Sequence, residues 1–229
     1  VEFCGSGVRA LSMQERMTLS NMSAEMGAQV GLIAPDETTR HWLLNAGVAA
    51  AAEMDLSGWQ TDEGAPATTH AFDAATLAPQ VAAPHSPANT QPVQAFDQVR
   101  VDVAYIGACT GAKLDDLRSA AQVFKGRKVA TGVRLMVAPA SQQDQQQAES
   151  EGIMATLREA GAEVLPTACG ACSGYGGSIP DGANVIATTA RNFKGRMGSA
   201  TAQVYLASPF TVAASALRGL ISDPREILA

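Results

Sequence analysis

From Val99 onward the chain alternates short apolar segments with longer amphipathic ones, and this alternation constrains the fold more than any other feature. The apolar segments predict strands at VDVAYIG, GVRLMVAP, AEVLP, ANVIATT and AQVYLAS. The amphipathic segments predict helices at KLDDLRSAAQVFKG, SQQDQQQAESEGIMATLREAG and PFTVAASALRGL, the last with Pro209 at its first position. Strands that alternate with helices of this length predict an α/β fold with a three-layer, doubly wound, mostly parallel sheet.

The preceding residues predict a second part of the protein. Apolar residues recur at helical spacing from Met13 to Met26 and stop at Gly27, and Asp36 is suited to cap a short helix that ends near Gly47. We interpret residues 1–56 as the C-terminal part of an α/β domain whose start lies outside this chain. Residues 57–99, rich in Pro, Thr, Ala and Gln, predict a linker with one or two short strands, and residues 100–229 form the main α/β domain.

Composition excludes several classes of function. A formal net charge of −6 provides no basic surface for nucleic acid, and no apolar run approaches the roughly 18 residues of a membrane-spanning helix. Four cysteines are too few for a disulfide scaffold, so we expect a reducing compartment, the cytoplasm. His41, His70 and His85 lack the spacing of metal ligands, so a histidine-based metal site is not expected.

Three of the cysteines lie in loops that follow predicted strands. Cys109 lies in IGACTGAK, and Cys169 and Cys172 form a CxxC pair in LPTACGACSGYGG. Ligands of open α/β sheets bind at the carboxyl ends of strands, so we expect these loops to converge. Three thiolates with no evident fourth partner indicate an iron–sulfur cluster with one open iron, which would act as a Lewis acid toward a substrate.

Small residues around the CxxC pair support this interpretation, because they let the backbone approach the inorganic sulfurs and donate N–H bonds to them. They are Gly170, Ala171, Gly174, Gly176 and Gly177. A zinc tripod, a thioredoxin-like redox pair and inert packing are the other interpretations of the three cysteines. Cys4, in FCGSG, is either a buried or free thiol or a fourth ligand, which would make the protein an electron carrier.

Two arginines, Arg191 and Arg196, lie in TTARNFKGRMG after the predicted strand ANVIATT. Two guanidinium groups in a glycine-containing loop at a strand end are suited to bind carboxylates. A cluster held by three thiolates is net negative, so an anionic substrate needs such compensation. Ordinary surface arginines are the alternative. Lys113, in the first cysteine loop, adds positive charge or simply begins a helix.

These segments, together with the opening EFCGSGVRALSMQERMTLSNMSAEMGAQVGLIAPDETT, resemble in order and spacing the aconitase superfamily, in particular its 3-isopropylmalate dehydratase and homoaconitase large subunits. The resemblance implies a [4Fe–4S]-dependent hydro-lyase whose open iron binds the hydroxyl and a carboxylate of a small hydroxy di- or tricarboxylic acid, which is reversibly dehydrated or isomerised. The site residues it implies are the cluster ligands Cys109, Cys169 and Cys172, the carboxylate-binding Arg191 and Arg196, and the catalytic acidic residue Glu2.

Three departures from the family pattern bear on the substrate. Gly111 and Ala190 stand where the family usually or often has Asn, and the CxxC loop is ACGAC rather than the common GCGPC or GCSMC. Loss of two amides near the cluster would change its hydrogen-bond shell. We therefore keep two alternatives: a dehydratase of another dicarboxylate, of the dimethylmalate or maleate type, or a non-catalytic cluster-binding regulatory module.

The resemblance also implies partner chains. Members of the family carry an N-terminal half with histidines and aspartates that complete the active site, and a swivelling domain or small subunit with a serine base. Neither set of motifs occurs in this chain. The expected partners are therefore a small anionic hydroxycarboxylate, the chain or chains that supply the N-terminal half, and the small swivelling subunit.

Overall fold

A mixed, mostly parallel sheet of seven strands organises the computed structural model, which describes residues 1–175 and 179–228. The strands are β1 Gln80–Ala82, β2 Thr90–Pro92, β3 Val103–Ile106, β4 Arg134–Val137, β5 Glu163–Val164, β6 Asn184–Ala187 and β7 Gln203–Ala207. Their spatial order is β2-β1-β7-β6-β3-β4-β5. The strands β5, β4, β3, β6 and β7 pair in parallel, whereas β1 pairs antiparallel with both β2 and β7.

Helices follow or precede these strands as the sequence pattern predicts. They are α1 Ser6–Arg9, α2 Met13–Met22, α3 Glu37–Asn45, α4 Leu114–Phe124, α5 Gln142–Ser150, α6 Ile153–Ala160, α7 Pro209–Arg218 and α8 Arg225–Leu228. Short 3-10 helices occur at Ser23–Met26, Ala49–Glu53, Ala74–Thr76, Val93–Phe96 and Gly170–Ser173. The predicted α/β class with a mostly parallel sheet is confirmed.

The segment from Ser141 to Gly161, predicted as a single helix, is two helices. Helix α5 ends at Ser150, and α6 begins at Ile153 after Gly152 adopts a left-handed conformation with φ 73°. Glycine reaches this region without a Cβ penalty, so it ends the first helix and redirects the chain. The apolar helix α6 then buries Met154 and Leu157 in the core that the helices cover, while the glutamine-rich α5 stays mostly exposed.

The two faces of the sheet are covered by different kinds of structure. Side chains alternate along each strand, so Ala104 and Ile106 of β3 join the core that α4, α6 and α7 cover, and Val103 and Tyr105 join a second core. Among the described residues, the second core takes its cover from the β5–β6 connection, including Leu165 and Cys172, and from the β6–β7 connection. The third layer therefore consists of connecting segments, and these contain four of the predicted site residues, Cys169, Cys172, Arg191 and Arg196.

The chain forms two compact units, Val1–Thr76 and Leu77–Ala229. The first unit has little core of its own: within residues 1–76 the buried residues are Arg16, Ser23 and Ala51. The division predicted from the sequence, 1–56, 57–99 and 100–229, stays a prediction. Among residues 1–175 and 179–228, none of the helices has the length and apolar character needed to cross a membrane.

An ion pair between the buried Arg16 and the partly exposed Asp36 joins two helices of the first unit. The Arg16 guanidinium, whose side chain is 3% exposed, donates to both carboxylate oxygens of Asp36 at 2.7 and 2.8 Å and to the carbonyls of Leu11 and Arg9. Asp36 also caps α3 by accepting from the backbone N–H groups of Thr38 and Thr39. One carboxylate thus joins α2 to α3, and hydrogen bonding from Arg16 lowers its pKa below the usual value.

We expect Asp36→Asn to reduce the free energy of unfolding of the first unit by about 2 kcal/mol at pH 7, because a buried guanidinium loses its charged partner. Both tryptophans, Trp42 and Trp59, lie in this unit, so their fluorescence during urea unfolding measures the change. Glu37→Gln is the matched control, because the Glu37 carboxylate is 68% exposed in its pair with Arg40 and its loss should cost under about 0.5 kcal/mol.

The same pair predicts a dependence on pH. Since the pKa of Asp36 is lower in the folded state, its stabilising contribution is complete above the unfolded pKa of about 3.9 and is lost as the pH falls through the folded pKa. Unfolding midpoints of the wild type should therefore fall more steeply below pH 4 than those of Asp36→Asn. Parallel pH profiles for the two proteins would contradict this role of the pair.

Candidate functional site

The strand order creates a switch point between β3 and β6. The chain leaves β3 toward β4 and β5 on one side and leaves β6 toward β7 on the other, while β3 and β6 pair directly. Loops that diverge from neighbouring parallel strands leave a crevice outside the carboxyl ends, where ligands of such sheets bind. Cys109 lies in the loop after β3, and Arg191 and Arg196 lie in the loop after β6.

Thr188 ties these two loops together where they leave the sheet. Its buried hydroxyl accepts from the Gly107 N–H at 2.9 Å and donates to the Gly107 carbonyl at 2.9 Å, and its own N–H donates to the Tyr105 carbonyl at 3.0 Å. These bonds extend the pairing of β3 with β6 beyond the last strand residues. They fix the start of the Cys109 loop relative to the arginine loop.

Cys109 follows a backbone position that is strained. Ala108 has φ 73°, a left-handed conformation that costs an alanine on the order of 1 kcal/mol. Ala108 itself is buried, whereas Cys109 is exposed. The turn therefore buries the alanine and presents the thiol outward from the end of β3.

Gly111, one of the departures from the family pattern, lies against Thr188. A Cβ atom at this position would lie 2.3 Å from both the Cβ and the carbonyl oxygen of Thr188, which is closer than real Cβ contacts. The loop therefore closes on Thr188 in a way that leaves no room for an asparagine side chain. Ala190, the second departure, is buried at 6% exposure, so a larger residue there would also have to find space.

The CxxC pair forms one turn of 3-10 helix, Gly170–Ser173, with Cys169 just before it. The Cys172 N–H donates to the Cys169 carbonyl at 3.0 Å, and Gly174, with φ 83°, ends the turn in a left-handed conformation. Cys169 is exposed, whereas Cys172 is buried at 7% exposure within the second core. Gly176 and Gly177, predicted to line the cluster, lie outside the described residues.

Arg196 reaches the CxxC turn from the β6–β7 connection. One terminal nitrogen, Nη2, donates to the Cys172 Sγ at 3.7 Å, and the guanidinium carbon lies 5.4 Å from the centre of the Phe193 ring. The Arg196 Nε is buried and has no hydrogen-bond partner among the residues that the structure describes. The backbones of the two loops also approach closely, since a Cβ at Gly174 would lie 3.4 Å from the Gly198 Cα.

The three thiols and Arg196 share one electrostatic environment. Burial raises the pKa of the Cys172 thiol, the Arg196 guanidinium opposes that rise, and negative charge on Cys169 and Cys109 adds to it. Three thiolates that repel one another are a donor set suited to a strongly positive centre, which deprotonates its thiol ligands outright. The residues therefore fit the iron–sulfur cluster that the sequence resemblance implies.

The three thiols lie on two different loops, one after β3 and one after β5. Within the part of the chain that the structure describes, no three His, Cys, Asp or Glu side chains are gathered closely enough to hold a single ion. A zinc tripod needs three sulfurs about 2.3 Å from one centre. In an iron–sulfur cluster each thiolate binds its own iron, so the sulfurs need not meet at one point.

Glu2 lies in the first unit, and its surroundings are described there. It forms an isolated parallel bridge with Leu32, and its carboxylate accepts from the Thr61 N–H at 3.0 Å and from the Thr61 hydroxyl. These two bonds lower the pKa of Glu2. Cys4, in the same unit, is exposed. The catalytic role of Glu2 stays a prediction.

Two residues of the site region were not expected from the sequence. Asn192 is fully buried and its amide donates to the carbonyls of Ala83 at 2.8 Å and Val204 at 2.9 Å, which ties the arginine loop to the hairpin edge of the sheet. Tyr105 donates from its hydroxyl to the Cys169 carbonyl at 3.2 Å. The sequence offered one signal for each: Asn192 is a polar residue between two arginines, and Tyr105 is a tyrosine in a predicted buried strand.

Lys113 immediately precedes α4, and its backbone N–H donates to the Asp116 carboxylate at 3.0 Å. Lys113 therefore begins a helix, which is one of the two interpretations that the sequence left open. Arg191 is half-buried in the β6–β7 connection, where its carbonyl accepts from the Thr189 hydroxyl at 3.2 Å. The structure thus places Arg196 beside Cys172, with Cys169 and Cys109 near enough for their charge to raise the Cys172 pKa, and it places Arg191 in the same loop as Arg196.

Comparison with known proteins gives one consistent result. Residues 1–219 match the model of the aconitase family (aconitate hydratase). The chain is 42% identical over 230 residues to the 3-isopropylmalate dehydratase large subunit of Halothermothrix orenii, covering 100% of this chain and 54% of that protein. It is 44% identical over 229 residues to the corresponding subunit of Nitratidesulfovibrio vulgaris, covering 99% of this chain and 53% of that protein.

A protein of Archaeoglobus fulgidus named 3-isopropylmalate dehydratase large subunit 2 is likewise 42% identical, over 230 residues that cover 100% of this chain and 54% of the relative. The chain thus spans about half the length of the curated relatives it matches. With the family model matching nearly all of its residues, this chain belongs to the aconitase family.

Proposed function

We propose that this chain is the cluster-bearing half of a [4Fe–4S]-dependent hydro-lyase that acts on a small hydroxy di- or tricarboxylic acid, as in 3-isopropylmalate dehydratase. The observation that carries the proposal is the shared environment of Cys109, Cys169, Cys172 and Arg196 at the carboxyl edge of the sheet. Membership of the aconitase family and relatives named 3-isopropylmalate dehydratase support the same class of reaction.

Cys109, Cys169 and Cys172 would hold the cluster, which leaves one iron without a ligand from this chain. When bound, such a cluster supplies a Lewis acid that polarises a substrate oxygen. The thiols must be reduced to bind iron, which supports a location in the cytoplasm. The turn that contains Cys169 and Cys172 is part of the second core, so these ligands are held on a packed surface.

The arginine loop would bind and orient the substrate carboxylates. The Arg196 guanidinium lies beside the Cys172 sulfur. Its buried Nε–H has no partner among the described residues and is available to donate a hydrogen bond. Arg191 lies in the same connection. Guanidinium groups bind carboxylates through paired hydrogen bonds, and their charge offsets the negative thiolates. Glu2, kept ionised by Thr61, would accept a proton from water or substrate rather than donate one at neutral pH.

The proposal includes partner chains. The first unit buries few residues of its own and exposes many large apolar side chains. They include Val30, Leu32, Trp42, Val48, Trp59 and Phe72. Because the chain spans about half of its relatives' length, we propose that a chain corresponding to the remaining half covers this surface. The small subunit implied by the relatives' name "large subunit" would complete the enzyme.

One observation favours a second candidate, a cluster-binding regulatory module without turnover. At Gly111 a side chain has no space beside Thr188, and Ala190 is buried, so neither position supplies an amide to the cluster region. Outer-shell hydrogen bonds tune bound metals, and their absence could leave a cluster that is held but not used. Activity in the reconstituted complex decides between the two candidates.

We expect the anaerobically reconstituted chain to bind iron and sulfide and to absorb broadly in the visible range, because three thiolates are available. Substituting Cys109, Cys169 or Cys172 by serine should reduce the bound iron at least tenfold. Cys4→Ser is the matched control, since Cys4 is an exposed cysteine of the other unit, and it should keep the wild-type iron content. Equal iron content in Cys109→Ser and the wild type would refute the ligand assignment.

We expect a complementary chain, equivalent to the remaining half of the relatives, to shift the fluorescence of Trp42 and Trp59 to shorter wavelength, because these side chains are 41% and 67% exposed. Trp42→Phe and Trp59→Phe assign the shift to each residue. Hydro-lyase activity should appear only in the complex that also contains the small subunit. A panel of hydroxydicarboxylates then identifies the substrate, and a stable cluster with no activity in any mixture supports the regulatory module.

A further inference from the structure

Tyr105 connects the centre of the sheet to the CxxC turn. It is fully buried in β3, on the face that the site loops cover, and its hydroxyl donates to the Cys169 carbonyl at 3.2 Å. The ring passes from the strand to the loop across the second core. The backbone of the first CxxC cysteine therefore rests on a hydroxyl supplied by the strand that also leads to Cys109.

Two glycines make this contact possible. A Cβ at Gly107 would lie 2.1 Å from the Tyr105 Cζ, so any side chain at that position would collide with the ring. A Cβ at Gly170, in the CxxC turn itself, would lie 3.3 Å from the Tyr105 hydroxyl, and Gly170 has φ 48°. Glycine occurs where a backbone must approach another group closely, and both glycines here accommodate the same ring.

The turn that contains Cys169 and Cys172 is held at two points. The Arg196 contact at Cys172 and the Tyr105 contact at Cys169 hold the two ends of the same turn.

We propose that Tyr105 is a positioning residue that fixes the Cys169–Cys172 turn in the geometry that binds the cluster. The inference rests on the proposed function, because it assigns a role toward the same cluster. Tyr105 acts through the Cys169 backbone and touches neither substrate nor the reacting atoms. Its removal should loosen the turn while leaving the sheet intact, since phenylalanine fills nearly the same volume.

The test compares Tyr105→Phe with Tyr205→Phe. Tyr205 lies in β7 and packs on the opposite, helix-covered face, in an edge-to-face contact with Phe96 whose ring centroids are 5.7 Å apart. Tyr205→Phe therefore removes a tyrosine hydroxyl that is not at the Cys169–Cys172 turn. In the chain without cluster, iodoacetamide labelling of Cys172, which is buried, should be about fivefold faster in Tyr105→Phe, and labelling of exposed Cys109 should be unchanged. In the loaded chain, a chelator should remove iron about tenfold faster.

Gly170→Ala provides a second variant that keeps the tyrosine. Its Cβ pushes the turn away from the hydroxyl, so it should produce the same two changes, and the double variant should be no worse than the more affected single one. Wild-type rates of Cys172 labelling and iron release in Tyr105→Phe would overturn the inference, as would equal effects of Tyr205→Phe. A wild-type chain that takes up no cluster overturns the proposed function instead, and the labelling rates then decide alone whether Tyr105 anchors the turn.

Discussion

Burial of the second face of the sheet is the constraint on which the rest of this structure depends. A parallel sheet needs cover on both faces, and here the long helices pack on one of them. The other is covered by the connections after β5 and β6, with Leu165, Cys172 and Met197 as part of its core. The segments proposed to bind the cluster and substrate are therefore also packing elements, and this fixes their backbones without helical structure of their own.

This double use explains the close contacts around the site. Gly111 lies against Thr188, Gly174 approaches Gly198, and Gly170 approaches Tyr105, so loops from three strand ends meet with little space between them. Such packing limits how far a ligand residue moves when a charged group binds or leaves. Cys172 therefore serves both the packing of the second core and the proposed site. Gly111 and Ala190, the two positions where the family usually or often has Asn, are part of this close packing.

The sequence predicts the strands, most helices and the convergence of the site loops, because periodicity and strand-end position are local properties. It does not predict the break at Gly152, because a glycine inside a helical pattern is often tolerated. The helix ends there because Gly152 adopts a left-handed conformation with φ 73°, which the pattern does not reveal. It also missed Tyr105 and Asn192, whose partners are far along the chain. Contacts of that kind depend on which strands are neighbours, and hydrophobic patterning does not specify this order.

The first unit shows a different limit. Its helices were predicted from caps such as Asp36, but the sequence did not predict that few of its residues are buried and that many of its large apolar side chains are exposed. The central claim concerns the cluster itself. Mössbauer spectroscopy of the chain reconstituted with iron-57 measures the ligand environment of each iron. We predict a [4Fe–4S] spectrum in which one iron differs from the three held by Cys109, Cys169 and Cys172. Four equivalent thiolate-bound irons, or no bound iron, would contradict the account.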